Sequence, residues 1–503
     1  MPRYMYRFYA STAVALVATG AFADLAAEDV WEDWKTYTTS FGYEVTGEET
    51  RSGDTLTITG IVMEASDDTL GSAAKATIDQ IVLQEQADGT VTIDLPGIVP
   101  FEMTAPNELG GSTRVSMDYR QTGSDIVASG TSDAIDYTYS FDTVSLQTTG
   151  FEVNGEVLPP ETNAIDVTIN ALTGTSQMTL DSLRRYVQNL QANSVSYTLS
   201  TTEAATGSKS DISGQFQDIK FEGSGAVPLR DVDSSDMDAM LAAGFAADGK
   251  FSYAANALTL AVESPDGPVE GSVVTGASEV GVSMNQSGLS YRVGQSDLQV
   301  DMSAAQFPAP LNFGIARSEL NFAVPVRQSD AVEDFAFGFA LEGVSVSDML
   351  WGMFDPNEQL PRDPATLALD LTGKARLLLD FLDPAAVAGM NPEEAPAEVE
   401  SLNINTFKVS IAGADLSGDG GFTFNNTAGP IPQPVGALNL TLTGGNALID
   451  KLIATGLLPE EQAMGMRMMM GLLAVPGSAP DTLTSTIEIN EQGHVMANGQ
   501  RIQ

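Results

Sequence analysis

The chain has 503 residues and no cysteine, with 23 Lys and Arg against 67 Asp and Glu, a formal charge of −44. Such a balance disfavours nucleic acids and anionic lipid head groups as partners, because both are bound through cations that release counterions. Without cysteine there is no disulfide framework and no lipid attachment of the bacterial lipoprotein kind, and a large exported chain of this type points to a bacterial envelope.

The N-terminus reads as a cleavable export signal. Arg3 and Arg7 supply the positive region, Ala10 to Ala21 the apolar core, and Ala21-Phe22-Ala23 the small-x-small cleavage site. Cleavage after Ala23 starts the mature chain at Asp24 and brings the charge to −46. The apolar core is shorter than the ~20 residues that span a bilayer, and no later segment approaches that length. The expectation is a periplasmic protein without a transmembrane anchor, its acidic residues spread as a solvated coat.

A first helix is expected from Leu25 to Tyr37, with Val30, Trp34 and Tyr37 on one side. From there the dominant pattern is alternation of apolar with polar residues, the mark of half-buried strands. Instances are Leu56 and Ile58; Val91, Ile93 and Leu95; Ile165, Val167 and Ile169; Val195, Tyr197 and Leu199; Leu298, Val300 and Met302; Leu438, Leu440 and Leu442. Strands buried on one face belong to antiparallel sheets. Asp88-Gly89, Asn154-Gly155, Asp266-Gly267, Asp419-Gly420 and Asn498-Gly499 are read as hairpin turns.

Interspersed helical stripes are expected at Leu180, Leu183, Val187 and Leu190, the cleanest of them, and from about Ser235 through Met237, Met240 and Leu241. Others run from Ser347 to Phe354, from Ala447 to Thr455, and from Pro459 to Leu473. Pro384 to Glu400 reads as a mobile linker and Val227 to Asp248 as a second break. The organisation that follows is a signal at 1–23, an N-terminal β-rich lobe at 24–235, and a C-terminal β-rich lobe at 236–503 carrying a helical segment at 446–474. The fold class is mainly β: long curved antiparallel sheets or an open β-sandwich with a few short amphipathic helices. An outer-membrane barrel is disfavoured, since aromatics are only 7 % and the chain closes on Ile502-Gln503.

Several segments carry a family resemblance: Ala23-Asp24 with Glu28-Asp29-Val30-Trp31, Phe354-Asp355-Pro356 with Leu360-Pro361-Arg362-Asp363-Pro364, and Gly493-His494-Val495 with Asn498-Gly499-Gln500. Together they resemble an uncharacterised domain-of-unknown-function family of Gram-negative, alphaproteobacterial secreted proteins, of the DUF-2125 type. The resemblance covers most of the mature chain and implies no activity, cofactor or site residue. The closing strand and Asn-Gly turn also resemble the ends of other periplasmic β-rich proteins, some with lipid-handling sheets.

Candidate chemistry is sparse. His494 is the only histidine and sits beside an Asn-Gly turn, whereas triads and zinc centres need more imidazole or thiolate. Ser72-Ala73-Ala74-Lys75 has the serine-x-x-lysine spacing of penicillin-recognising enzymes, without their partner motifs. Asp415, Ser417 and Asp419 copy the first half of a calcium loop, but Asn426 stands where its bidentate Glu belongs. No catalytic, metal or cofactor-binding residue follows from these patterns, and no cofactor is expected.

Five of the 19 methionines, Met464, Met466, Met468, Met469 and Met470, lie on the last helix. Such a cluster either fills a gap between helix and sheet or adapts to apolar ligands, with Met464, Met468 and Leu472 as the contacts. The leading expectation is a non-enzymatic protein that binds an apolar envelope component, a lipid, on the inner face of its sheet. An assembly factor contacting other envelope proteins is the alternative, and an enzyme the third.

Overall fold

Alternating sequences pair with their chain neighbours when the turns between them are short, and this chain does so from end to end. The computed structural model describes residues 25–503 apart from 41, 68–71, 108–109, 160–162, 204–205, 230–231, 233–235, 308, 392–394 and 427–431. The export signal and Asp24 lie outside the described residues.

Helix α1 (Ala27–Ser40) leads into β1 (Glu44–Ser52), β2 (Thr55–Asp67), β3 (Ser72–Glu85), β4 (Val91–Asp94), β5 (Ile98–Pro106), β6 (Ser112–Thr122), β7 (Asp125–Thr131), β8 (Ala134–Val153) and β9 (Glu156–Leu158). Three long strands follow: β10 (Asn163–Leu180), β11 (Leu183–Thr202) and β12 (Lys209–Pro228). After α2 (Met237–Ala242) come β13 (Ala246–Tyr253), β14 (Ala255–Glu263), β15 (Val269–Thr275), β16 (Ser278–Asn285), β17 (Gly288–Ala304), β18 (Leu311–Val324) and β19 (Glu333–Val346). The rest is α3 (Asp348–Phe354), β20 (Ala365–Leu377), α4 (Pro384–Ala388), β21 (Ala397–Ile411), β22 (Ala414–Asn425), β23 (Gln433–Thr443), α5 (Gly445–Ala454), α6 (Glu460–Leu473), β24 (Val475–Pro476), β25 (Thr482–Ile489), β26 (Val495–Ala497) and β27 (Gln500–Arg501).

These strands form one antiparallel meander of 27 strands. Strand β12 pairs with β13 along one half and β14 along the other, so the ladder continues across the segment that composition marks as a break. Likewise β17 pairs with β16 and then β15, and β8 with β7 and then β6. Each such pair is one long strand interrupted at its middle.

The interruptions line up. Following the register from strand to strand, a single line passes through Gly60, Asp79, Gly97, Gly123, Asp142, Ala171, Asn193, Asp218, Ala254, Gly276, Asp297, Ala316 and Gly343. Six of these have φ between 50° and 68°: Gly60, Gly123, Ala171, Asp218, Asp297 and Gly343. A left-handed residue inside a strand bends it and shifts the pleat by one residue. Along this line the inward residues accordingly change parity, from Phe141 to Val144, Ile169 to Leu172, and Phe216 to Ile219. The sheet is thereby creased into two walls whose apolar sides share one interior.

The helices expected at 25–37, 237–241, 347–354, 447–455 and 459–473 correspond to α1, α2, α3, α5 and α6. Three expectations are corrected. The stripe from Leu180 to Leu190 is not helical: Leu183 to Thr202 is strand β11, paired throughout with β12. Its inward side carries Arg184 and Gln188 among Tyr186 and Leu190, and those polar residues hide the two-residue period. Asp419-Gly420 lies inside β22 rather than at a turn; the turn is Ala412-Gly413, where both φ values are positive. The segment read as a mobile linker contains α4 and the first residues of β21, which pair with β20.

Candidate functional site

One consequence of the meander is that inward residues meet directly across every ladder. A single register row runs Ile126, Tyr139, Gly174, Leu190, Phe221, Phe251, Val280, Val293, Leu320, Phe339, Leu369, Phe407, Gly418, Leu440 and Ser485. Strands spaced at about 4.8 Å make this row roughly 67 Å long. A second row on the other wall runs Tyr119, Leu146, Val167, Tyr197, Gly214, Leu258, Val273, Val300, Phe313 and Val346. Across the crease the rings of Phe216 and Tyr253 meet edge to face at 4.9 Å between centroids, so the two apolar sides adjoin.

Glycines in these rows are covered by neighbouring side chains: Gly174 by Tyr139 and Leu190, Gly214 by Tyr197 and Gly418 by Leu440. A Cβ on Gly174 would stand 2.5 Å from Tyr139 Cε2 and 2.7 Å from Leu190 Cδ2. The apolar side therefore stays continuous where the side chain is missing.

At the N-terminal end this face is covered. Helix α1 packs along β1, β2 and β3 and brings Ala27, Val30 and Trp31 into one buried core cluster with Leu56, Ile58, Ile81, Leu83, Ile126, Ala128, Ile135, Tyr137 and Met178. Polar contacts hold the helix down. Glu85 accepts from the Ala27 N–H at 2.9 Å, and Glu49 accepts from Trp31 Nε1 at 2.7 Å. Arg51 pairs with Glu28 and Glu85, and its guanidinium lowers the Glu85 pKa. Deeper in, Asp33 of α1 forms a buried ion pair with Arg184 of β11 and accepts the Tyr137 hydroxyl at 2.7 Å. Burial, with the Asp33 charge beside it, raises the Tyr137 pKa, so this phenol stays a donor.

Beyond α1 the same face is open. Under the helix Ile126 and Tyr137 are each 7 % exposed and Met178 3 %, whereas farther along Phe251 is 39 %, Val280 36 %, Phe337 37 % and Leu367 42 % exposed. The chain as a whole exposes 29512 Å², against roughly 18,000 Å² for a compact protein of 52.9 kDa. Allowing full exposure for every undescribed residue removes roughly 8,000 Å² at most and leaves several thousand in excess. The apolar side past β12, about 48 Å long, is thus only partly covered, with Phe251 and Val280 the most exposed large side chains of the first row. Where the first row meets α1, a cavity of about 300 Å³ is lined by Trp34, Tyr37, Tyr139, Phe141, Met178 and Tyr186 among others.

The residues weighed from sequence fall elsewhere. Met464, Met468 and Leu472 lie on α6 and are 72 %, 71 % and 56 % exposed, so they fill no gap; Ala463 is the buried residue of that helix. Ser72 and Lys75 sit in β3, three residues apart in an extended strand, which turns them to opposite faces. Lys75 pairs with Glu64, and this hydrogen bond raises its pKa, the reverse of what a general base needs. Asp415, Ser417 and Asp419 alternate along β22, and Asp415 is bonded to Ser410 and Lys408. His494 stands in the connection from β25 to β26, its N–H donated to Asn490 at 3.0 Å. Among the described residues no group of three or more His, Cys, Asp or Glu is placed to hold a metal ion, and no helix is long and apolar enough to cross a membrane.

Residues 256–499 match the model of a family described as an uncharacterized protein conserved in bacteria, DUF2125. The matched segment is similar to that family over just under half of the chain. The match starts in β14 and ends at the closing hairpin, so the matched portion holds most of the open wall, while α1 and the covered core precede it. A comparison with curated proteins finds no match to the chain.

Proposed function

We propose that this is a non-enzymatic periplasmic protein that binds an apolar envelope component, a lipid, along the groove between its two walls. The observation that carries the reading is the contrast along the apolar side: Ile126, Tyr137 and Met178 are buried in the cluster that α1 joins, whereas Phe251, Val280, Phe337 and Leu367 farther along the sheet are a third or more exposed. Monomeric proteins rarely leave contiguous apolar surface beyond a few hundred Å² without a partner for it. The occupant this wall favours is apolar, because the rows present no charged side chain and every strand inside the sheet already spends its backbone groups on its neighbours. Export across the inner membrane, read from Arg3 to Ala23, supplies the compartment. The test is lipid extraction and mass spectrometry of protein purified from its native envelope, with uptake of a fluorescent phospholipid by the stripped protein. A protein that carries no lipid and takes up none refutes the reading.

A second reading is supported by α6, whose Met464, Met468 and Leu472 form an exposed apolar side suited to another protein in the envelope. Crosslinking in intact cells that recovers a reproducible protein partner, with no lipid in the groove, favours that reading over the first.

A further inference from the structure

Resting on the groove reading, we propose that the 300 Å³ cavity under α1 receives the methyl end of a bound aliphatic chain, and so limits the chain length the groove accepts. The cavity is the blind end of the first row, since Ile126 and Tyr139 belong both to that row and to its lining. Helix α1 closes it from above with Trp34 and Tyr37, and the ring of Tyr37 meets that of Tyr186 edge to face at 5.4 Å. No free charge faces a ligand from Asp33: its carboxylate is engaged by Arg184 and by the Tyr137 hydroxyl. A charged head group therefore finds no free counter-charge there; apart from Ser176, Gln188 and tyrosine hydroxyls, an alkyl end meets aromatic faces, Leu95, Ile126 and Met178. The occupant is a chain and not a protein segment, because a helix is about 10–12 Å across and needs far more room than this volume provides.

Length selection follows from the geometry. Chain carbons lying in the groove slide along an open wall, but the carbons that enter the cavity stop against α1. Ser176, on the cavity wall beside Gln188, is small and half-buried. Ser176→Phe fills the cavity without touching the open wall.

The experiment uses uncharged monoacylglycerols of increasing chain length, which the acidic surface does not repel. In a protein with Trp31→Phe and Trp351→Phe, Trp34 is the remaining reporter. Chains brominated at the methyl end should quench it, and chains brominated beside the glycerol should not. Ser176→Phe should weaken the longest bound chains by about tenfold while leaving shorter ones unchanged. Equal quenching from both bromine positions, or a Ser176→Phe loss that is the same at every length, overturns the end-pocket assignment and leaves the groove standing. If the unaltered protein binds no monoacylglycerol of any length, the groove reading itself fails and the pocket with it.

Discussion

Leu83 and Leu367 offer the same side chain on the same interior at two ends of the sheet. Leu83 is fully buried in the cluster beneath α1, and Leu367 on β20 is 42 % exposed. Truncating Leu83 to alanine should cost about 3–5 kcal/mol, the loss of transfer energy plus an unfilled cavity. For Leu367→Ala the arithmetic differs. About three methylene equivalents at ~0.8 kcal/mol, scaled by the buried fraction, amount to about 1.4 kcal/mol, and solvent fills the space so that no cavity remains. Urea unfolding followed by tryptophan fluorescence, at unchanged slope, reads both values. Bound ligand adds a second signature: at a hundredfold excess over Kd it should stabilise the parent by about 2.7 kcal/mol, and Leu367→Asp should lose that gain while the stripped protein remains folded. If Leu367→Ala costs as much as Leu83→Ala, the wall is packed against something and the groove does not exist.

Three further predictions test the crease, the clamp on α1 and the acid response. Ala171 has φ 52°, so Ala171→Gly should leave stability unchanged or raise it by up to about 1 kcal/mol in a urea titration; Gly343→Ala should lower it, because a Cβ there would lie 2.7 Å from the Ala316 Cβ. Arg184→Ala leaves the Asp33 carboxylate buried and unpaired and should cost about 3–5 kcal/mol, whereas the double change Asp33→Leu with Arg184→Leu should recover much of that loss in thermal unfolding. Burial works to raise the pKa of Asp355, but the backbone N–H groups of Leu360 and Gln359 and the charge of Arg362 outweigh it, so the carboxyl is held below its ordinary value of 3.8. Asp481 behaves alike through Asn446 and Ala447 at the start of α5. Folded values that are lowered contribute stability fully above about pH 4 and lose it as pH falls through them, so urea midpoints should drop below pH 4, and less steeply in Asp481→Asn; midpoints flat down to pH 2 would refute the assignment.

Local periodicity was enough to establish the class of this protein. Strand alternation and the starts and stops of five helices are set by residues close together in the chain, where each side chain's direction follows from its neighbour's. The crease was also written in the sequence, as a spacing of three where two is the rule: Ile58 to Ile61, Phe141 to Val144, Ile169 to Leu172, Phe216 to Ile219. Reading only the uniform two-residue rhythm passes over it. At Leu180 to Leu190 the local signal misleads, because apolar residues on both faces of β11 mimic a helical stripe and the pairing with β12 overrides propensity.

The candidate site is legible only in part. A sequence marks which side of a strand is apolar, yet the same Val or Phe suits a filled core and an open wall equally well. What decides between them is whether another element covers that side. Here α1 reaches only as far as β11, through Asp33 to Arg184, and nothing among the described residues continues its cover over Phe251, Val280 or Phe337. The difference between core and groove is thus a property of how far one helix extends across a long sheet, which no window of sequence along β13 or β19 contains.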